Sequence, residues 1–209
     1  MKYYMLDLFC GAGGAAMGYY NAGFDIIGVD IKPQQNYPFE FIQADSYEFL
    51  RSFDLSIFDI IHASPPCQGY SVTCNMRPCN RIRYPDRLPE LRNLLKNHKY
   101  IIENVPGAPL INPIKLSGPM FGLRVVRLRL FEIHPLFLIL TPSGKKIGSV
   151  RKGQYVTVAG SGGDGSGKLL DWSKAMGIEW MNKIEIRQAI PPAYTEFLGR
   201  RIKEYLEKN

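Results

Sequence analysis

Apolar residues along the chain fall into short runs separated by turn formers rather than into long stripes. Tyr3 to Phe9, Asp25 to Val29, Phe39 to Ile42, Ile57 to Ala63 and Tyr100 to Val105 are apolar segments of strand length, the pattern of strands covered on both faces. Segments of helix length lie between them. Gly13 to Ala22 is small and apolar and stops at Gly23, Ser46 to Phe53 opens on a serine cap, and Leu88 to Asn97 carries Leu88, Leu91, Leu94 and Leu95 at helical spacing. This alternation predicts a doubly wound α/β sheet. After Pro106 the pattern changes. Pro109, Pro113 and Pro119 punctuate a loop, Arg124 to Ile133 reads as β-rich, Tyr155 to Ala159 as one more strand, and Gly160 to Gly167 as a surface loop without an apolar residue. From Pro191 a helix is predicted, with Tyr194, Phe197, Leu198, Ile202, Tyr205 and Leu206 on one stripe that must pack on the sheet.

At 209 residues the chain is most simply one domain with, at most, a small appended lobe. It has no run of about 18 apolar residues, so no membrane span is expected. Met1 to Asp7 carries an acid within its apolar run and leads straight into a strand, unlike a signal peptide, which predicts a cytoplasmic protein. There Cys10, Cys67, Cys74 and Cys79 need no disulfides. The net charge of +7 is unevenly spread: residues 1–60 hold three basic and eight acidic side chains, residues 77–99 seven and two, residues 115–152 eight and one. Such single-sign segments fit a polyanion such as DNA or RNA, although solvated loops would show the same composition.

Three places carry candidate chemistry. Gly11-Ala12-Gly13-Gly14-Ala15-Ala16 fits G-x-G-x-x-A after a strand, with Asp30 ending the next strand 19 residues later. Glycines let the backbone approach a ligand, and the acid can accept from ribose hydroxyls; a nicotinamide dinucleotide asks for nearly the same residues. Asp45 closes the third strand unit, as an acceptor for an exocyclic amine or as a helix cap. Cys67 stands in Ser64-Pro65-Pro66-Cys67-Gln68, just past a strand end, with a fixed backbone and basic residues following that would favour a thiolate. Glu103 ends the fifth strand near the same crevice. Arg127 and Arg129 alternate on a predicted strand, so both guanidinium groups face one side, toward a planar or phosphate partner or into buried salt bridges. Cys74 and Cys79 lack a second pair or a histidine, so no metal is expected. Gly162 to Lys168 matches a triphosphate-binding loop, but Leu169 replaces the Ser or Thr that holds magnesium, and that reading is rejected.

Taken in order, Asp7-Leu8-Phe9-Cys10-Gly11-Ala12-Gly13-Gly14, Asp30, Asp45, Pro65-Pro66-Cys67-Gln68, Glu103-Asn104-Val105, Arg127-Leu128-Arg129 and Gln188-Ala189-Ile190-Pro191-Pro192 resemble the DNA (cytosine-5)-methyltransferase family, in its short, phage-like form. The resemblance implies a Rossmann-like class I fold and S-adenosyl-L-methionine as methyl donor. Phe9, Gly11 and Gly13 would surround its methionine and adenosine, Asp30 its ribose and Asp45 its adenine amine, with Pro66 and Gln188 also at the cofactor. It further implies Cys67 as the nucleophile toward carbon 6 of a flipped cytosine, Glu103 as the acid at ring nitrogen 3, and Arg127 and Arg129 as orienting groups. Glu103 would need a pKa raised by a desolvated pocket. The stretch Tyr70 to Arg87 corresponds to the loop that closes over substrate, with Gly69 as hinge.

The chain departs from that family's pattern at Val125, where a glutamine is usual, and at Arg187-Gln188, where Gly-Asn is usual. It also has only about fifty residues between the arginine motif and the last one. Residues 1–133 and 184–209 are therefore expected to form the catalytic domain and 134–183 a reduced target-recognition lobe. The expected partner is double-stranded DNA, with no membrane and no metal, acted on by a monomer. An RNA (transfer RNA) cytosine-5 methyltransferase, a non-catalytic nucleic-acid-binding relative and a nicotinamide dehydrogenase are the competing readings.

Overall fold

The computed structural model describes residues 2–70, 85–144, 147–158 and 167–208. Seven strands form one sheet: β1 Tyr3–Leu8, β2 Phe24–Asp30, β3 Glu40–Gln43, β4 Ile60–Ala63, β5 Tyr100–Asn104, β6 Ile114–Leu116 and β7 Arg129–His134. Their order is β3-β2-β1-β4-β5-β7-β6, parallel throughout except for β7, which runs antiparallel to both neighbours. The helices are α1 Gly14–Asn21, α2 Ser46–Ser52, α3 Leu88–Leu95, α4 Leu169–Met176, α5 Lys183–Ile186 and α6 Pro192–Leu206. The strand order reverses between β1 and β4, and there the carboxyl ends of the strands leave a crevice.

Strand alternation divides the core. Met5, Phe24, Ile101 and Phe131 point to the face covered by α1 and α6, where Tyr19, Tyr194 and Leu198 meet them. Leu6, Leu8, Val29 and Ile102 point the other way, onto Leu50 of α2 and Leu88, Leu91 and Leu95 of α3. The helical stripe from Pro191 is confirmed: α6 buries Tyr194, Leu198 and Ile202. α1 and α6 approach so closely that a Cβ on Gly18 would collide with the carbonyl of Pro192 and the hydroxyl of Thr195. A third cluster, centred on the fully buried Trp172, joins α4, Met181 and Ile186 to Ala12 and Val125.

Several expectations shift. β4 begins at Ile60, not Ile57, because Asp54 accepts from Ser56 N and winds Leu55–Ile57 into a 3-10 turn. The cap of α2 is Asp45 rather than Ser46: its carboxylate accepts from Tyr47 N at 2.8 Å and Glu48 N at 3.2 Å. Arg127 is not on a strand; it has φ 34 and precedes β7, so Arg127 and Arg129 do not alternate on one face. The described part of Tyr155 to Ala159 forms no strand and holds by one backbone bond, Val156 N to Arg124 O at 2.7 Å. Cys74, Cys79, the basic stretch 71–84 and the glycine-rich residues 160–166 lie outside the described residues. Among the described residues no helix is long and apolar enough to cross a membrane.

Candidate active site

At the carboxyl end of β1 the chain turns through Phe9 (φ 57), Gly11 (φ 50) and Gly13 (φ 81) before entering α1. Phe9 is the strained member, a bulky residue in left-handed space. Its amide donates to Ser46 Oγ at 3.3 Å and its ring stands edge-on to Tyr47. A Cβ built on Gly11 meets nothing within 4 Å, so the turn faces open space there. Asp30, at the end of β2, bounds it, accepting from Gly11 N and Lys32 N, both at 3.0 Å. From the far end of the chain Trp180 Nε1 donates to Ala12 O at 2.8 Å, and a Cβ on Gly14 would strike Ile190 O. The segment holding Gln188, itself exposed, thus packs over the glycine turn.

The second wall begins where β4 ends. Pro65 is buried, Pro66 exposed and Cys67 half-buried, and the loop is tied to β5 because the buried Asn104 donates through Nδ2 to Pro65 O at 3.1 Å. Glu103, the neighbour of Asn104, is 6% exposed. Arg129 Nε stands 3.0 Å from its Oε1. Burial raises the Glu103 pKa above the ordinary carboxyl range, while Arg129, Arg127 and the Ser64 hydroxyl draw it partly back. The expected raised acid is therefore present. Cys67 departs from expectation: burial, and then the charge of Glu103, hold its thiol above the usual value against the pull of Arg129 and Arg127. Among the described residues nothing makes the thiolate its resting form.

Arg127 is placed differently from Arg129. Its guanidinium donates to the carbonyls of Ala189 at 2.7 Å, Val158 at 3.1 Å and Arg187 at 2.6 Å, which pins the C-terminal segment to the sheet. Tyr194 Oη donates to the carbonyl of Arg127 at 3.0 Å and fixes the strained residue from below.

The structure therefore brings Cys67, Glu103 and Arg129 together and sets Phe9, Gly11, Gly13 and Asp30 along the same sheet edge. Asp45 sits one strand further out, already engaged as a cap. Sequence reasoning missed Trp180, whose only signal was an indole near the last motif. It also missed His62 and Ser64, which lie in and just after β4 with His62 Nε2 2.8 Å from Ser64 Oγ.

A seven-stranded sheet of this order, with its antiparallel β7, is that of a Rossmann-like methyltransferase. The family model of C-5 cytosine-specific DNA methylases matches residues 3–109, slightly more than half of the chain, and the chain belongs to that family. The match takes in the glycine turn, Asp30, Asp45, Cys67 and Glu103 and ends before Arg127, Arg129 and Gln188. Among solved structures, the EhMeth methyltransferase of Entamoeba histolytica aligns with a TM-score of 0.58 at 15% identity, over 100% of this chain and 98% of that one. The Dnmt2 methyltransferase of S. pombe gives 0.57 at 14%, over 100% and 99%. A prophage-encoded E. coli protein described as a DNA modification methyltransferase is 24% identical with a TM-score of 0.43, over 62% of this chain and 45% of that one, so the chain spans less than half of its length. No curated protein matches the chain.

Proposed function

We propose that this protein transfers a methyl group from S-adenosyl-L-methionine to carbon 5 of cytosine in double-stranded DNA through a transient covalent bond to Cys67. The observation that carries the reading is the half-buried Cys67 beside the buried Glu103, whose charge acts on the thiol and which Arg129 flanks. Cofactor binding is supported by the open space above Gly11 and the acid of Asp30 beside it, a set that suits an amino-acid end and a ribose. When bound, the cofactor supplies an electrophilic methyl group. Phe9, Gly11 and Gly13 would line it, with Pro66 and Gln188 at its margins and Asp45 offering its second oxygen to the adenine amine.

The chemistry follows from one shared negative charge. At rest the site holds a carboxylate and a thiol, because each anion opposes the other. Moving the thiol proton to Glu103 yields a thiolate and a carboxylic acid, with Arg129 stabilising the anionic pair in either form. The sulfur electron pair then forms a bond to carbon 6, and the charge pushed onto the ring is neutralised when Glu103 gives its proton to nitrogen 3. Carbon 5 becomes an enamine carbon able to attack the methyl group. Loss of the carbon 5 proton to a base then expels the sulfur, nitrogen 3 returns its proton, and the aromatic ring is restored.

Because these atoms are inaccessible inside a duplex, the target base would be rotated out into the crevice. The basic segments, with residues 134–183 as a reduced recognition lobe, would hold the phosphates. The test is transfer of tritiated methyl groups to duplex DNA and to transfer RNA, followed by bisulfite sequencing. Label on duplex cytosine that vanishes in Cys67→Ala, with cofactor binding retained, is expected. Label confined to transfer RNA would give the RNA reading, and undiminished transfer by Cys67→Ala would end the mechanism.

A further inference from the structure

On the α1 face of the sheet a polar row crosses the apolar core. Register places Asp7 of β1 beside His62 of β4, and Glu103 follows one pleat beyond Ile101, the partner of His62 on β5. His62 and Tyr19 are both fully buried. Tyr19 Oη lies 3.0 Å from His62 Nδ1, and His62 Nε2 lies 2.8 Å from Ser64 Oγ. Ser64 directly follows Ala63, the partner of Ile102, so it stands level with Glu103 on the same face of the sheet, and its hydroxyl draws the Glu103 pKa down. We infer that Tyr19 and His62 are positioning residues which aim the Ser64 hydroxyl at Glu103 and so set the proton affinity of the catalytic acid. The inference rests on the reading of Glu103 given above.

The direction of the chain follows from counting protons. A neutral imidazole has one donor and one acceptor, and burial keeps His62 neutral by pulling its pKa down to about 3. Among the described residues the Tyr19 hydroxyl has no hydrogen-bond partner other than Nδ1. A buried O–H left unpaired costs about 1–3 kcal/mol, so Tyr19 donates to Nδ1. The imidazole proton must then sit on Nε2 and is donated to Ser64 Oγ. That leaves the Ser64 proton nowhere to point along this row except toward Glu103. In the other tautomer Nε2 would take the Ser64 proton and present a lone pair to the carboxylate instead.

A carboxylate receiving that hydroxyl is favoured over the carboxylic acid, in opposition to burial. The row thus keeps Glu103 able to give up its proton as well as hold it. Arg129 and Arg127 from the segment entering β7 act in the same sense. Cys67 opposes it from the loop after β4, and Asp7, which faces Tyr19, adds negative charge to the row. Tyr19 and His62 touch neither base nor cofactor in this arrangement; they act through Ser64.

The test follows the Glu103 carboxyl directly in the 209-residue protein, by carbon-13 NMR titration assigned with Glu103→Gln, alongside the pH profile of kcat/KM. Tyr19→Phe keeps the ring and removes only the hydroxyl. It should raise the titration midpoint by roughly half a unit, Ser64→Ala by about one, and the double variant by no more than Ser64→Ala alone, since both act through one hydroxyl. Because the pair holds one proton when it is competent, the limb on which activity rises with pH should move up with it. His62→Gln, which keeps an acceptor toward Tyr19 and an N–H donor toward Ser64, should restore the midpoint, whereas His62→Leu should not. An unchanged midpoint in Tyr19→Phe and His62→Leu, or full additivity with Ser64→Ala, would overturn the relay. Retained methyl transfer by Glu103→Gln would instead remove the acid role itself, and the two failures are therefore separable.

Discussion

The two sides of the crevice are built from different materials. Around the glycine turn nearly every contact is to the backbone: Asp30 on Gly11, Ser46 on Phe9, Trp180 on Ala12. Around Cys67 the contacts are between side chains, Glu103 with Arg129 and, behind them, Ser64 with His62. Backbone amides and carbonyls do not titrate, so the contacts that shape the first side do not change with proton exchange. The second holds groups whose protonation depends on one another. On the proposed mechanism, a methyl donor needs a constant berth, and a base that gains and loses a proton within each turnover needs an adjustable one.

Removing charge from the adjustable side gives the largest expected effect. If Glu103 acts as proposed, Glu103→Gln should lower kcat by about 10²–10⁴-fold, the usual effect of losing a general acid, while cofactor affinity by calorimetry stays unchanged. A matching loss of cofactor binding would erase the distinction between the sides. Arg127 spans both, since it lies among the charges but spends its donors on backbone. Arg127→Met should therefore act on stability, lowering the unfolding free energy in urea by about 3 kcal/mol, because it deprives three carbonyls of their partner.

Acid should reveal the same contrast. Free imidazole titrates near 6.5 whereas folded His62 resists protonation down to about 3, so the unfolded chain binds the extra proton between those values. Stability should then fall by about 1.4 kcal/mol for each pH unit as pH drops through that window. Glu103 and Asp7, both raised, work in the opposite sense: the stability they contribute is present below their unfolded values and is lost as pH rises through their folded ones. Urea midpoints of His62→Gln should accordingly show a flatter acid limb than those of the parent. The smallest effect belongs to the fixed side. Trp180→Phe removes one hydrogen bond to Ala12 O and should cost about 1 kcal/mol, with a modest loss of cofactor affinity and no change in the pH profile.

What could be read from the chain divides along similar lines. Runs such as Tyr100 to Val105 announce buried strands because apolar burial is a local property, and β5 is buried at every position. The glycine turn and the Pro-Pro-Cys frame were legible because backbone shape is also local. The helix cap was misplaced by one residue, since Asp45 and Ser46 are both good caps and only tertiary contact with Phe9 decides which is spare. Arg127 was misread because its three carbonyl partners lie from 31 to 62 residues away, and satisfying them bends it out of the strand. His62 carried no local signal at all. On an otherwise apolar strand it reads as core, and its meaning depends on a tyrosine 43 residues earlier.

The cover over the glycine turn has a kinetic corollary. Trp180 and Ala189, contributed late, complete a turn laid down at residues 11–14. A ribosome that has delivered the whole parallel sheet has still not delivered this cover, and contacts of such long sequence separation are slow to form. During synthesis, then, the Cys67 side can be assembled while the glycine turn stays unroofed. The proposed methyl transfer should switch on only after residue 189 has left the exit tunnel.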